Sequence, residues 1–168
     1  MKKFVFGSFL SVLIGISSVA IAAPTMIGEY GDWVAYAYKD ASGQICYMAS
    51  TPKRDEGKYT KRGDIYVVVT HRPKEKVYDV VNFVAGYDFK AGEKVTVKIG
   101  AKTIDKIFTE GDKAWAINES VDKKLVDAMK RGDRMFVSGM SSKGTTTKDT
   151  YSLSGFGSAY KAISTKCK

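Results

Sequence analysis

Cysteine is scarce in this chain, two in 168 residues, and histidine scarcer still, with one. That scarcity excludes whole classes of chemistry. A zinc site needs three or four ligands, and one histidine with two distant cysteines does not supply them. Cys46 and Cys167 lie far from the Cys-x-x-Cys spacing of a redox pair. No Asp-rich loop fits a calcium hand. Beyond residue 23 no apolar run is long enough to cross a bilayer. Prolines number three, and there is no internal repeat, low-complexity tract or linker to divide the chain. A hydrophobic content of 44% excludes a disordered body. The length suits one domain around one core.

What is present begins with a patterned amino terminus. Lys2 and Lys3 precede an apolar run from Phe4 to Val19, and Ala20-Ile21-Ala22 supplies small residues for cleavage. This is the layout of a secretory signal peptide over 1–22. Its removal takes 22 of the 168 residues, leaves 146, and reduces the net charge from +9 by two. An exported protein folds where disulfides form. A bridge between Cys46 and Cys167 is then the default reading, with two free buried thiols or a redox pair as alternatives. A loop of that size contributes about 4–5 kcal/mol on the chain-entropy view.

A basic surface attracts anions. Outside the cytoplasm these are lipid head groups, lipopolysaccharide, wall polymers and host glycans, so nucleic acid is not an expected partner and any membrane association is peripheral. The densest basic stretch, Arg54, Lys58, Lys61 and Arg62, is interrupted by Asp55 and Glu56 and reads as a charged, mobile loop within 51–63 more than as a docking patch.

The mature chain reads as mostly β. Residues 31–38 place Trp33, Ala35 and Ala37 on one face of a strand, and a turn over 40–43 joins it to a second strand over 44–50. Ile65 to Thr70 is dense in β-branched residues, as a central strand is. Further strands are expected over 77–84, 94–99, 103–108, 113–117, 134–140 and 149–154, with Val95, Val97 and Ile99 inward. A polar turn is expected over 141–148. The period then lengthens: Val121, Leu125, Ala128 and Met129 predict a helix over about 121–131, with Ser120 as N-cap and Gly132 after its last turn. Phe156, Ala159, Tyr160 and Ile163 predict a second over about 156–165. The expectation is an antiparallel β-sandwich or partly open barrel carrying two helices, a single domain over 23–168.

Few residues suggest a site. His71 would have to serve any Ser–His–Asp or Cys–His arrangement, and it reads as a strand-end histidine without such a task. Ser142-Lys143-Gly144-Thr145 lacks the leading glycine of a phosphate loop and lies between two strands. Asp32, Asp64, Asp79, Asp88, Glu93, Asp105 and Glu110 are available to a two-carboxylate hydrolase but have no telling spacing. Asn118-Glu119-Ser120 fits a glycosylation sequon at a helix start. Tyr36, Tyr38, Tyr47, Tyr66, Tyr78 and Tyr87 sit in or beside strands, where packing of half-buried faces is the favoured role and a contact surface the other. No catalytic, cofactor-binding or metal-binding residue is expected.

One set of motifs is specific in its order. Gly31-Asp32-Trp33, Cys46, Ala114-Trp115-Ala116, the run Leu125 to Gly132, and Tyr151-Ser152-Leu153-Ser154-Gly155-Phe156 with Ala159, Ile163 and Cys167 resemble the invasion-associated locus B family of exported proteobacterial proteins. The resemblance spans about residues 30–168. It implies a β-rich domain in the periplasm or at the outer membrane and, in pathogenic members, a part in host-cell invasion, notably of erythrocytes. It carries over no catalytic residues. Longer relatives have an additional central cysteine pair that is missing here around 108–115. The expected function is therefore that of a non-enzymatic envelope protein with an anionic or protein partner. A periplasmic hydrolase using dispersed carboxylates is one alternative, and an inhibitor or chaperone-like module for another exported protein is a second.

Overall fold

Alternating apolar and polar residues build two antiparallel sheets, whose inner faces close on each other. The structure, a computed structural model, describes residues 23–168; the leader expected over 1–22 lies outside them. The strands are β1 (Thr25–Tyr30), β2 (Trp33–Asp40), β3 (Gly43–Ser50), β4 (Arg54–Gly57), β5 (Tyr66–Arg72), β6 (Val77–Val84), β7 (Thr96–Ile99), β8 (Lys102–Ile104), β9 (Ile107–Glu110), β10 (Lys113–Ala116), β11 (Arg134–Met140) and β12 (Thr146–Ser152). The helices are α1 (Glu119–Met129) and α2 (Phe156–Lys166). Seven strands run in the order β1-β2-β3-β5-β6-β10-β9, and five in the order β4-β12-β11-β7-β8. Neither sheet closes on itself, so the fold is a sandwich with two helices, and the barrel alternative is set aside.

Register explains the core. Ala35, Met48, Val69 and Val81 are cross-strand partners in one row of the seven-stranded sheet, and all four are fully buried. Val67, Phe83 and Ala114 form a second inner row. Val97, Val137 and Met135 face them from the five-stranded sheet, with Leu125 and Met129 of α1 and Phe156, Ala159 and Ile163 of α2 in the same cluster. Trp33 joins three elements: its Nε1–H donates to the Ser152 carbonyl at 3.1 Å, and its ring meets Phe156 edge-on at 4.9 Å. The Cys46–Cys167 disulfide is formed and ties β3 to the end of α2. The two thiol alternatives fall away.

Several expectations need correction. β1 was not foreseen; it is an edge strand with a register shift between Met26 and Gly28, which breaks its alternation. The loop expected over 51–63 contains β4, which pairs with β12. The strand expected over 103–108 is two strands in different sheets, β8 beside β7 and β9 beside β10. The turn expected over 141–148 is shorter, because β12 starts at Thr146. Asn118, not Ser120, caps α1, its side chain accepting the Val121 N–H at 3.1 Å. Gly132 does not adopt the left-handed conformation of a helix-ending glycine. It is small because a Cβ there would lie 2.5 Å from Ile99 Cγ2.

Candidate functional site

After β4 the chain leaves the five-stranded sheet and crosses to β5. Arg62 anchors that crossing. Its Nη1 and Nη2 donate to the two Asp149 carboxylate oxygens at 2.7 and 2.6 Å, and its Nε to the Ala85 carbonyl at 2.7 Å. Its side chain is 3% exposed, and the guanidinium lies 4.9 Å from the Tyr87 ring centroid and 5.5 Å from that of Tyr59. Burial weighs against the charge. The bonds to Asp149 more than offset it, so the Arg62 pKa moves up from its ordinary value. The stretch read as a mobile basic loop is thus pinned at its carboxyl-terminal end, with Gly63 N–H donating to the Gly86 carbonyl at 2.8 Å. Gly86 has φ +69°, and a Cβ on it would lie 2.5 Å from the Gly63 carbonyl oxygen, so no larger residue permits this approach.

The hairpin between β11 and β12 rises opposite. Ser141 Oγ accepts the Thr145 N–H at 3.1 Å, and the Ser142 N–H donates to the Asp88 carbonyl at 2.7 Å. Tyr87 lies between the two segments, its hydroxyl 2.7 Å from Thr147 Oγ1. Together they enclose a cleft of about 500 Å³ lined by Lys58, Tyr59, Lys61, Tyr87, Asp88 and Lys143 among others. Three lysines and one aspartate, Asp88, are among its lining residues, and Asp149 nearby is paired with Arg62. Lys143 belongs to the Ser142–Thr145 segment, so that segment borders the cleft although it is no phosphate loop.

His71 is 1% exposed and lies inside β5, not in a loop. The Asp79 N–H donates to its Nδ1 at 3.1 Å, so the ring proton is on Nε2, 3.1 Å from Ser164 Oγ. Asp79 Oδ1 lies 4.0 Å from Nδ1 and accepts the Tyr160 hydroxyl at 2.6 Å. Ser164, His71 and Asp79 are the residue types of a hydrolytic triad, but a base for serine needs its lone pair on Nε2 and its proton on Nδ1. The arrangement here is the reverse. It fastens α2 to β5 and β6, and burial lowers the His71 pKa.

The remaining carboxylates are dispersed. Asp32 pairs with Lys53, Glu93 with Lys90 and Asp105 with Lys94. The hydrogen bond from Lys53 holds the Asp32 pKa below its ordinary value. Asp64, Asp88 and Asp112 border a shallow depression beside the cleft. Glu110 is exposed on β9. Among the described residues no three His, Cys, Asp or Glu side chains are placed to hold a metal. Sequence reasoning missed the two buried carboxylates, Asp122 and Asp149. Both had a signal: Asp122 shares the helical spacing of Leu125, Val126 and Met129, and Asp149 alternates with Thr147 and Tyr151, which point inward.

Asp122 accepts the Val81 N–H at 2.9 Å. Burial, aided by Asp79 and Glu119 and opposed by that bond, raises its pKa from 3.8 to about 6. The folded state then holds this proton more tightly than the unfolded chain, so the group's contribution falls as pH rises from about 4 to about 6. Asp122→Asn keeps the acceptor and removes the charge. It should stabilise the protein at pH 7.5 by up to about 3 kcal/mol, less the loss of a helix-dipole contact of roughly 0.5 kcal/mol, and the gain should vanish near pH 4. Urea unfolding at both pH values measures it; an equal effect at each would contradict the assignment.

The family model described as invasion associated locus B (IalB) protein matches residues 33–164. That span starts at β2 and stops within α2, so β1 and Cys167 lie outside it. No curated protein and no solved structure matches the chain.

Proposed function

The chain belongs to the invasion associated locus B family, and from this premise we propose that it is an exported, non-enzymatic envelope protein that docks on anionic surfaces through the cleft rimmed by Lys58, Lys61 and Lys143. The leader-like amino terminus and the formed disulfide support export, because disulfides persist in oxidising compartments. The observation that carries the docking reading is the cleft itself: three lysines on segments fixed by Arg62 and by the Ser141 hairpin, with Asp88 the one acidic residue in its lining. The surfaces within reach of an exported protein are phosphate-bearing lipids and lipopolysaccharide of the envelope, or acidic surfaces of a host cell. Host-cell invasion is the role this docking would serve in a pathogen.

Co-sedimentation with vesicles of zwitterionic lipid containing phosphatidylglycerol tests the reading. Binding should be strong at low ionic strength and fall steeply with salt, since exposed charges more than about 10 Å apart are screened at 0.1 M. Each lysine near an anionic surface contributes roughly 1 kcal/mol. Reversing Lys58, Lys61 and Lys143 to Glu should therefore weaken binding by at least about 100-fold. Reversing Lys98 and Lys148, on the outer face of the five-stranded sheet, should have a small effect. Binding that ignores the cleft substitutions would overturn the assignment.

A further inference from the structure

The outer faces of the two sheets differ in where their charges lie. On the five-stranded sheet, one outward row runs Arg54, Thr150, Phe136, Lys98 and the next Glu56, Lys148, Ser138, Thr96. Charges punctuate both, as on a surface that meets water. On the seven-stranded sheet one outward row runs Phe108, Trp115, Asn82, Val68, Ala49, Val34 and ends at Glu29. The next runs Val80, Thr70, Tyr47, Tyr36, Met26. Of the 27 basic and 18 acidic residues in the chain, only Glu29 enters these two rows, and it stands on the edge strand; Glu110 and Lys113 lie in the row on one side of them and Arg72 on the other.

The aromatic side chains on this face lie against one another. Tyr36 and Tyr47 stack at 5.1 Å, and Phe108 stacks on Trp115 at 5.9 Å. Both helices pack on the other side of the sheet, in the core, so among the described residues no element covers these rows. Met26 on one edge strand and Phe108 on the other are each 54% exposed. A contiguous apolar face left open in this way marks an interaction surface.

We propose that this face is the interface between two copies of the chain, packed sheet to sheet. Three features select a second copy. The first is area. Seven strands about 4.8 Å apart, the longest about 26 Å long, give a face of roughly 700–800 Å² with its charged margins included, of the order of the roughly 800 Å² per partner of a standard stable interface, which has a polar rim around an apolar centre. The second is charge. Copies of a chain with net charge +9, reduced by two when Lys2 and Lys3 leave with the leader, repel each other over most orientations, and the uncharged rows offer the approach with least repulsion. The third is symmetry. β5 is the middle strand of seven, and a two-fold axis along it lays the β1 edge of one copy, with Met26, over the β9–β10 edge of the other, with its own half-exposed apolar residues. Such an isologous contact is self-complementary and closes on itself, and aligned packing of two twisted sheets is a common solution. Val68 and Thr70 then lie nearest the axis.

Sedimentation equilibrium on residues 23–168, which carry every strand and helix described, should give twice the monomer mass. The dimer should persist as salt is raised, whereas docking at the lysine cleft weakens, so the two readings fail separately. Val68→Cys is a small change in place, and it should cross-link to a dimer with a short bismaleimide; Lys98→Cys on the opposite outer face should not. Tyr47→Lys combined with Val68→Lys should yield a monomer that still unfolds cooperatively. A monomer at every concentration, equal cross-linking at positions 68 and 98, or a monomer that adsorbs to detergent micelles through this face would each overturn the proposal. Should the lysine variant fail to fold, the cross-linking pair decides.

Discussion

Reducing the Cys46–Cys167 disulfide, or replacing both cysteines by alanine, is expected to lower the unfolding free energy by about 4–5 kcal/mol. The bond spans 121 positions, and the entropy it removes from the unfolded chain grows with the logarithm of that span. The native state should change little. Cys46 is fully buried within β3, and α2 keeps its own purchase on the sheet through Phe156, Ala159 and Ile163 and through the Ser164–His71 contact. The loss therefore appears as a lower urea midpoint together with a steeper dependence on urea, because the reduced unfolded chain exposes more surface. A domain of this size has about 5–15 kcal/mol in hand, so the reduced form is marginal. Unchanged unfolding after reduction would show that the bond contributes nothing to stability.

The second large effect is at Arg62. Arg62→Ala leaves the Asp149 carboxylate buried without its partner, and breaking a buried pair in this way costs about 3–5 kcal/mol. Replacing both residues, Arg62→Met with Asp149→Leu, removes the stranded charge and should recover most of that loss, since a well-packed apolar pair is often as stable as a buried ion pair. A double-mutant cycle on urea midpoints gives the coupling. A loss below about 1 kcal/mol for Arg62→Ala, the range of exposed pairs, would mean that water reaches the pair. The same substitution should loosen the segment that carries Lys58 and Lys61, because Arg62 also holds it to the Ala85 carbonyl.

Why one arginine in a basic stretch is buried while its neighbours line a cleft cannot be read from the stretch itself. The partner, Asp149, is 87 positions away, and its only local mark is an inward place in an alternating strand. β4 hides for a related reason. Arg54-Asp55-Glu56-Gly57 has no apolar alternation because it is a short edge strand held by backbone pairing to β12. Where side-chain burial dictates structure, the sequence was legible: Val95, Val97 and Ile99 do face inward, Trp33, Ala35 and Ala37 share the buried face, and Leu125 with Met129 marks the buried side of α1. The expected strand over 103–108 failed because continuity of β-forming residues does not say when a chain changes sheets. The cleft lay beyond local reading altogether, since its lysines come from two segments that meet only after both sheets are assembled.

The span of the disulfide also orders events in time. Cys46 leaves the ribosome 121 residues ahead of its partner, and β4 likewise precedes the strand it needs, as Arg54 pairs with Thr150. Neither closure is available until the partner residues, Thr150 and Cys167, have followed. A polypeptide that stops short of Thr150 therefore lacks both locks.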